Sequence, residues 1–387
     1  MTDRHFQVQC RVLGAVWLLA VFVTSVQAIL THNNNFEVFR ASSYNLLAGR
    51  DLYVANATHH DFFKYSPTFA LLFTPFAVLP FGLGLLLWNA VNAGALWAAL
   101  GRILDGRQAF IARLIVTMDL VGSMQNVQSN ALSAGLMILA FADLNDRREA
   151  RAATWITLGT IIKIFPIIAG VFAAFRPYRL PRFVLFAVVA AGVAVAAPLL
   201  VESPAALVAQ YNSWKAISST DALMRGFSVM ELWHLASGTD WPNWPLQLAG
   251  VVVLLAPLVR YSFWGLTRFR LLFLASVLMF CVLFNHKAES PSFVVALAGI
   301  AIWFTVSERR LADWVLLGVV FVGTVLSSSD AMPKVWQESL FEPYRLKAVP
   351  VLLVWVVTQT ALWRMTPGQS ASAQPRAHRS APAAGAI

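Results

Sequence analysis

The chain has 387 residues, of which 58% are hydrophobic and only 12% charged, with a mean hydropathy of +0.64. Soluble domains carry roughly 25% charged residues, so the composition excludes a soluble globular enzyme and describes a polytopic membrane protein. The net charge of +10 raises the question of a nucleic-acid partner, but the basic residues fall in short clusters between apolar runs, which is the mark of membrane topology and argues for no nucleic acid.

In chain order, apolar runs of spanning or near-spanning length cover residues 12–30, 81–100, 183–201, 246–259, 271–284, 293–306, 314–326 and 348–363. No lone apolar segment with a cleavage site precedes them, so the first span is expected to be retained. Basic clusters separate the runs: Arg102 and Arg107; Arg147, Arg148 and Arg151; Arg176, Arg179 and Arg182; Arg260, Arg268 and Arg270; Arg309 and Arg310; and Arg364. Placing all of these in the cytosol with Arg4, Arg11, Arg113, Arg376 and Arg379 puts nineteen of twenty-nine basic residues inside, as the positive-inside rule requires. Eleven of the nineteen acidic residues then face outward.

The expected architecture is therefore all-α, with about twelve transmembrane helices and both termini cytosolic. One membrane domain spans residues 1–365, with long outer loops at 31–66 and 202–245. A tail at 366–387, rich in Ala, Ser, Pro and Gly, is expected to be disordered in the cytosol. Two segments strain this topology. Residues 67–80 make a helix of only about 21 Å at 1.5 Å per residue, against a hydrocarbon core of roughly 30 Å, and read as a re-entrant or tilted outer element. Residues 152–175 lie between two cytosolic Arg clusters, and Pro166 suggests two half-helices meeting inside the membrane, with Lys163 at the turn facing a cavity.

The first outer loop, NNNFEVFRASSYNLLAGRDLYVANATHHDFFKYS, holds most of the chemistry. It reads as an amphipathic helix on the outer surface, capped by Asn35, with Phe36, Phe39, Leu46 and Leu47 on one face and Gly49 as a left-handed stop. Glu37, Arg40 and Tyr44 share a face by their i, i+3, i+7 spacing. Glu37 and Arg40 are equally an exposed ion pair, or a general base with a cation that holds a phosphate. Further on, Asp61, Lys64 and Tyr65 stand where the chain re-enters the membrane, as lipid-headgroup ligands or as interfacial anchors.

Two more polar clusters stand at outer ends of spans. One is the turn with Gln125, Asn126, Gln128 and Asn130; the other is FNHKAESP, which gathers His286, Lys287 and Glu289 within four residues. Such groups are costly near lipid and should face a cavity or water. Arg225, Ser228, Glu231 and His234 in the second long loop are placed to close over the same cavity. No zinc-type spacing accompanies Glu231 and His234, Cys10 and Cys281 form no CxxC, and no glycine-rich phosphate loop is present. Neither a metal nor a cofactor is expected.

The ordered set NNFEVFRASSYNLLAGRDLY, FFKYSPTFALLFTPFAVLP, LWNAVN, a QN-containing turn and TIIKIFP resembles glycosyltransferase family 87 of the C-type (GT-C) superfamily, over about residues 30–180. FNHKAESPSF resembles a later motif of one bacterial branch. The resemblance implies a polyprenol-phosphate-mannose-dependent mannosyltransferase-like enzyme, with a catalytic acid in the first outer loop and a lipid-phosphate-sugar donor entering sideways from the bilayer. The family's acid stands directly before the Phe that matches Phe36, where this chain has Asn35. Glu37 is the replacement candidate, with Asp61 and Glu289 behind it. Lys163 matches the family's lysine before a proline-containing turn, and Asn126 or Gln128 the polar turn.

The expected function is transfer of a hexose, mannose first, from a polyprenyl phosphate to a glycan or glycolipid acceptor on the outer face of a bacterial inner membrane. The catalytic candidates are Glu37, Asp61 and Glu289. The substrate-binding candidates are Arg40, Lys64, Tyr65, Asn126, Gln128, Lys163, His286 and Lys287. The alternatives are a transporter or lipid-binding membrane protein, or a GT-C-like protein that has lost catalysis.

Overall fold

A computed structural model describes residues 3–54, 61–220, 223–329 and 332–366; the tail expected to be disordered falls outside them from residue 367 onward. The described residues form no strand, and the chain is an all-α membrane protein. Four stretches are long and apolar enough to cross a bilayer: Arg4–Leu30, Phe81–Ile103, Pro177–Leu200 and Leu311–Ser328. Shorter apolar helices, among them Asn130–Asn145, Asn243–Val259, Ser290–Val306 and Ala348–Arg364, pack between them.

The helices, in chain order, are α1 (Asp3–Leu30), α2 (Asn34–Leu47), α3 (Pro67–Ala77), α4 (Phe81–Ile103), α5 (Gly106–Gln125), α6 (Asn130–Asn145), α7 (Glu149–Ile162) and α8 (Leu180–Ala196). Then come α9 (Pro204–Thr220), α10 (Val229–Ser237), α11 (Asn243–Leu255), α12 (Thr267–Leu283), α13 (Phe293–Val306), α14 (Leu311–Val320), α15 (Lys334–Trp336) and α16 (Ala348–Arg364). At the centre lie α12 and α13, buried at every position from Leu271 to Leu283 and from Phe293 to Thr305. A helix apolar on all sides has no solvated face and belongs in such a core. The two approach closely at Gly299, where an added Cβ would lie 2.6 Å from the Ala275 carbonyl oxygen, a use of small residues common between membrane helices. By contrast, α8 turns Val184, Leu185, Val188, Val189 and Val193 outward.

The arginine clusters collect at one end of the bundle. Arg176 donates to the Asn145 carbonyl at 2.7 Å, and Arg270 to the Asn145 side chain at 2.6 Å. Arg179 pairs with Glu149 at 3.0 Å, Arg268 with Glu308 at 3.8 Å, and Arg102 with Asp146. These contacts also explain the segment between the two Arg clusters. From α7 the chain turns at Lys163 and returns as a 3₁₀ helix, Phe165–Phe175, with Pro166 near its start. Pro166 lies so close to α7 that a Cβ on Gly159 would meet it at 2.7 Å. The hairpin thus leaves and re-enters the same end, and Lys163 stands at its tip.

At the opposite end, α2 lies across α3. Its N-cap is Asn33, whose side chain accepts from the amides of Asn35 and Phe36 at 3.1 and 3.3 Å; Asn35, expected as the cap, instead donates to the Asn126 carbonyl at 2.8 Å. Phe36, Phe39 and Leu46 are buried as expected, but Leu47 is exposed. The apolar face meets aromatic side chains of α3, with Phe36 edge-on to Phe73 at 5.5 Å and Phe39 to Phe69 at 5.2 Å. After Leu47 the chain turns at Gly49, whose φ of +64° is open to glycine without strain. Ser66 caps α3 by accepting from the Phe69 amide at 3.2 Å, and donates to the Ile161 carbonyl at 2.6 Å. That pair ties the start of α3 to the end of α7, beside Lys163.

Candidate active site

Between the tip of the hairpin, the first outer loop and the α12–α13 turn lies a cavity of about 590 Å³. Asn35, Asp61, Lys64 and Tyr65 reach it from the first loop, Gln128 from the α5–α6 turn, Lys163 from the hairpin, and Asn285, His286, Lys287 and Glu289 from the α12–α13 turn. Ile161, Ile164, Phe165, Ile167, Ile168, Phe280 and Phe284 are among its apolar lining. Ile164 and Ile167 are each 61% exposed, so one side of the cavity is an apolar flank that opens sideways out of the bundle.

Hydrogen bonds order the polar side. Lys163 Nζ donates to Asn130 Oδ1 at 2.7 Å and to Gln128 Oε1 at 3.3 Å. Gln128 in turn donates through Nε2 to Glu289 Oε2 at 3.4 Å, so one amide links the buried end of the cation to a carboxylate. Asp61 accepts from Asn34 Nδ2 at 3.0 Å. The Lys64 carbonyl accepts from the Trp214 indole at 3.0 Å, which holds that part of the loop against α9. Gln247 donates to the Phe284 carbonyl at 3.1 Å and lies 3.5 Å from His286 Nδ1, which fixes the start of the α12–α13 turn.

Tyr65 packs edge-on to Phe39 and tilted against Phe63 and Phe69. Burial, and after it the Glu289 carboxylate, push its phenol above the ordinary range, so it stands as a neutral donor. Tyr53, whose hydroxyl donates to the Tyr65 carbonyl at 2.8 Å, is shifted the same way, first by burial and then by the neighbouring Tyr211, Asp51 and Glu202.

Eight of the eleven candidates therefore share one cavity: Asp61, Lys64, Tyr65, Gln128, Lys163, His286, Lys287 and Glu289. Glu37, Arg40 and Asn126 stand off its wall. Glu37 lies on α2 between buried Phe36 and Val38. Arg40 donates to the carbonyls of Ala77 and Leu79 at 2.9 and 3.4 Å, and Tyr44 also donates to Ala77, at 2.9 Å. Both satisfy the otherwise unpaired C-terminal carbonyl of α3 at Ala77. Asn126 caps α5, donating to the Gly122 carbonyl at 2.9 Å, and faces a second cavity.

Nor do Arg225, Ser228, Glu231 and His234 line the site. Arg225 pairs with Asp240 at 2.6 Å, with His234 3.7 Å from the same carboxylate; the hydrogen bond and charge of Arg225 hold Asp240 below the usual carboxylate range. The loop is nevertheless pinned to the α12–α13 turn. The Phe227 amide donates to the Ala288 carbonyl at 2.8 Å, next to Gly226 with its φ of +51°.

Sequence reasoning did not single out Gln247, Trp214 or Asn285, all on the cavity wall. Gln247 had a usable signal, since a lone amide in the apolar run of α11 is costly unless it faces a partner. Trp214 had none, because an indole beside a membrane surface is ordinarily an anchor.

The cavity thus sets carboxylates and cations beside an apolar flank within a helical membrane bundle. Residues 62–285 match the family model described as Glycosyltransferase family 87. That is more than half of the 387 residues, and the chain belongs to this family: it is a membrane glycosyltransferase. A search of the curated proteins found no match.

Proposed function

We propose that the protein transfers a hexose, with mannose the first candidate, from a polyprenyl-phosphate sugar to a glycan or glycolipid acceptor on the outer face of a bacterial inner membrane, both its termini lying in the cytosol. The observation that carries this reading is the junction, in one cavity, of Lys163 and its amide partners with the apolar flank of Ile164, Ile167 and Ile168. A lipid phosphate entering along that flank brings its negative charge to the cation and leaves its isoprenoid chain in the bilayer. The sugar then projects toward Asp61, Lys64 and Tyr65.

In the reaction a carboxylate takes the proton of an acceptor hydroxyl as its oxygen attacks the anomeric carbon. The bond from that carbon to the phosphate oxygen breaks, its electron pair leaves with the phosphate, and the anomeric configuration inverts. The donor phosphodiester carries one negative charge and the product phosphate approaches two, so cations matter most as the bond breaks. Lys163, Lys64 and Lys287 are assigned to that charge. Asp61 is assigned as the base in preference to Glu289, because Glu289 already accepts from Gln128 on the Lys163 side, where a second anion would oppose the leaving phosphate. Glu37 is set behind both because it stands off the cavity wall.

The test is turnover of radiolabelled polyprenyl-phosphate hexoses by the purified protein in bilayer nanodiscs. Release of polyprenyl phosphate with transfer of label supports the proposal. Binding of every donor without turnover points instead to a member of the family that has lost catalysis.

A further inference from the structure

A second cavity, of about 440 Å³, lies on the other side of the α12–α13 turn, between α5 and the segment that joins α14 to α16. Its wall shares chain with the first: Ser290 follows Glu289, and Asn126 precedes Gln128 by two residues. Asp119 and Lys347, both buried, form an ion pair of 3.5 Å inside it. Nothing in the proposed transfer uses this pair, and a buried charge pair is costly to keep unless it has a role.

The hydrogen-bond inventory points to the class of ligand. Lys347 has three N–H donors, and Ser290 Oγ at 2.9 Å, Ser328 Oγ at 2.6 Å and Asp119 use all of them. No donor is left for an incoming anion. Asp119 Oδ2, in contrast, accepts no hydrogen bond from the protein, and an O–H that reached it would satisfy an otherwise unpaired acceptor. Among the described residues the wall carries two carboxylates, Asp119 and Glu342, against the single cation Lys347, which disfavours phosphates and other anions. The rest of its polar surface is hydroxyl and amide, from Ser327 to Ser329, Gln125 and Gln337, with the Phe341 ring beside them. Hydroxyls, amides, carboxylate oxygens and an aromatic side chain make up the set that suits a neutral sugar.

We propose that this second cavity binds the neutral saccharide portion of the acceptor, and that the Glu289–Ser290 step separates it from the donor. The inference rests on the glycosyltransferase reading for the word acceptor, but saccharide binding can be measured without turnover, so the two fail separately.

Gly122 supplies the probe. It lines the cavity, and a Cβ added there meets nothing within 4 Å. Gly122→Leu should therefore intrude on the cavity, its Cβ entering open space. The experiment is saturation-transfer NMR of maltose and α-mannobiose on the full chain in nanodiscs, beside binding of farnesyl phosphate as the probe of the first cavity. The expected result is disaccharide binding by the parent protein that falls at least tenfold in Gly122→Leu, with farnesyl phosphate affinity unchanged within twofold. No binding of either disaccharide, binding equal in parent and variant, or displacement of the disaccharide by inorganic phosphate would each overturn the proposal. Should the variant not fold, a diazirine-bearing disaccharide is photo-crosslinked to the parent protein. Label on α5 or residues 325–342 supports the second cavity, and label confined to the first loop and Lys163 refutes it. Loss of donor turnover with disaccharide binding intact would count against the transferase reading alone.

Discussion

Replacing Lys163 by Met keeps the length of the side chain and removes its charge. In the native site this ammonium donates to Asn130 and Gln128 at 2.7 and 3.3 Å, and in the chain it directly precedes Ile164 of the apolar flank. One unit of charge developing about 4 Å from it, at an effective dielectric near 20, is worth about 4 kcal/mol. Removal of a single preorganised donor in other enzymes costs about 2.7–4 kcal/mol, or 10²–10³ in rate. The expectation for Lys163→Met is therefore a fall of 10²–10³ in kcat. KM for the donor should rise as well, because the ground-state phosphodiester already brings one negative charge to this cation. Loss of the hydrogen bonds to Asn130 and Gln128 should cost about 1–3 kcal/mol of stability, visible as a lower thermal midpoint of a still-folded protein. The assay is release of labelled polyprenyl phosphate under saturating donor in nanodiscs. A folded variant whose kcat stays within threefold of the parent would refute the reasoning, since the leaving charge would then be stabilised without Lys163.

Asp61→Asn should lower kcat by 10²–10⁴, the range of a general base, while Glu37→Gln should leave it within threefold; the same turnover assay ranks both against Glu289→Gln. Arg40→Ala strips two hydrogen bonds from the end of α3 and should lower the thermal midpoint, by about 1–3 kcal/mol of stability, with kcat per folded molecule little changed. Gly299→Ala must move the Ala275 carbonyl and should cost about 1–3 kcal/mol by overpacking, whereas Gly122→Ala, in open space, should be neutral or slightly stabilising by helix propensity; chemical denaturation of the two variants side by side separates them. Tyr65 and Tyr53 hold their protons more tightly in the folded state, so the stability they contribute is complete below the ordinary tyrosine value of about 10 and is lost as pH rises above it. Tyr65→Phe should blunt that alkaline loss in melting curves taken between pH 8 and 12.

What the sequence revealed, and what it hid, follows from the range of the forces involved. Apolar runs and arginine clusters are local, and they located the helices and the basic end of the bundle. The Lys163 hairpin was legible because Pro166 forbids a continuous helix and the flanking arginines forbid a crossing. FNHKAESP stood out because charge beside an apolar run is costly. Glu37 and Arg40 were harder, because helical spacing shows that they share a face and not what the face meets. Arg40 in fact spends its donors on the carbonyls of Ala77, the last residue of α3, and of Leu79 just beyond it, 37 and 39 residues away in the chain. Asn33 displaced Asn35 as the cap because Asn35 is drawn to Asn126, a contact across 91 residues that no local pattern encodes. Asp119 and Lys347, 228 positions apart by their numbers, could be recognised as a pair only once α5 and the α14–α16 connection were packed together.

The most direct test of the account is a structure of the Asp61→Asn variant with a polyprenyl-phosphate hexose bound. The account predicts the phosphate within hydrogen-bond distance of Lys163, the isoprenoid chain along Ile164 and Ile167, and the sugar beside residue 61. A phosphate seated elsewhere, with Lys163 still bonded only to Asn130 and Gln128, would contradict it.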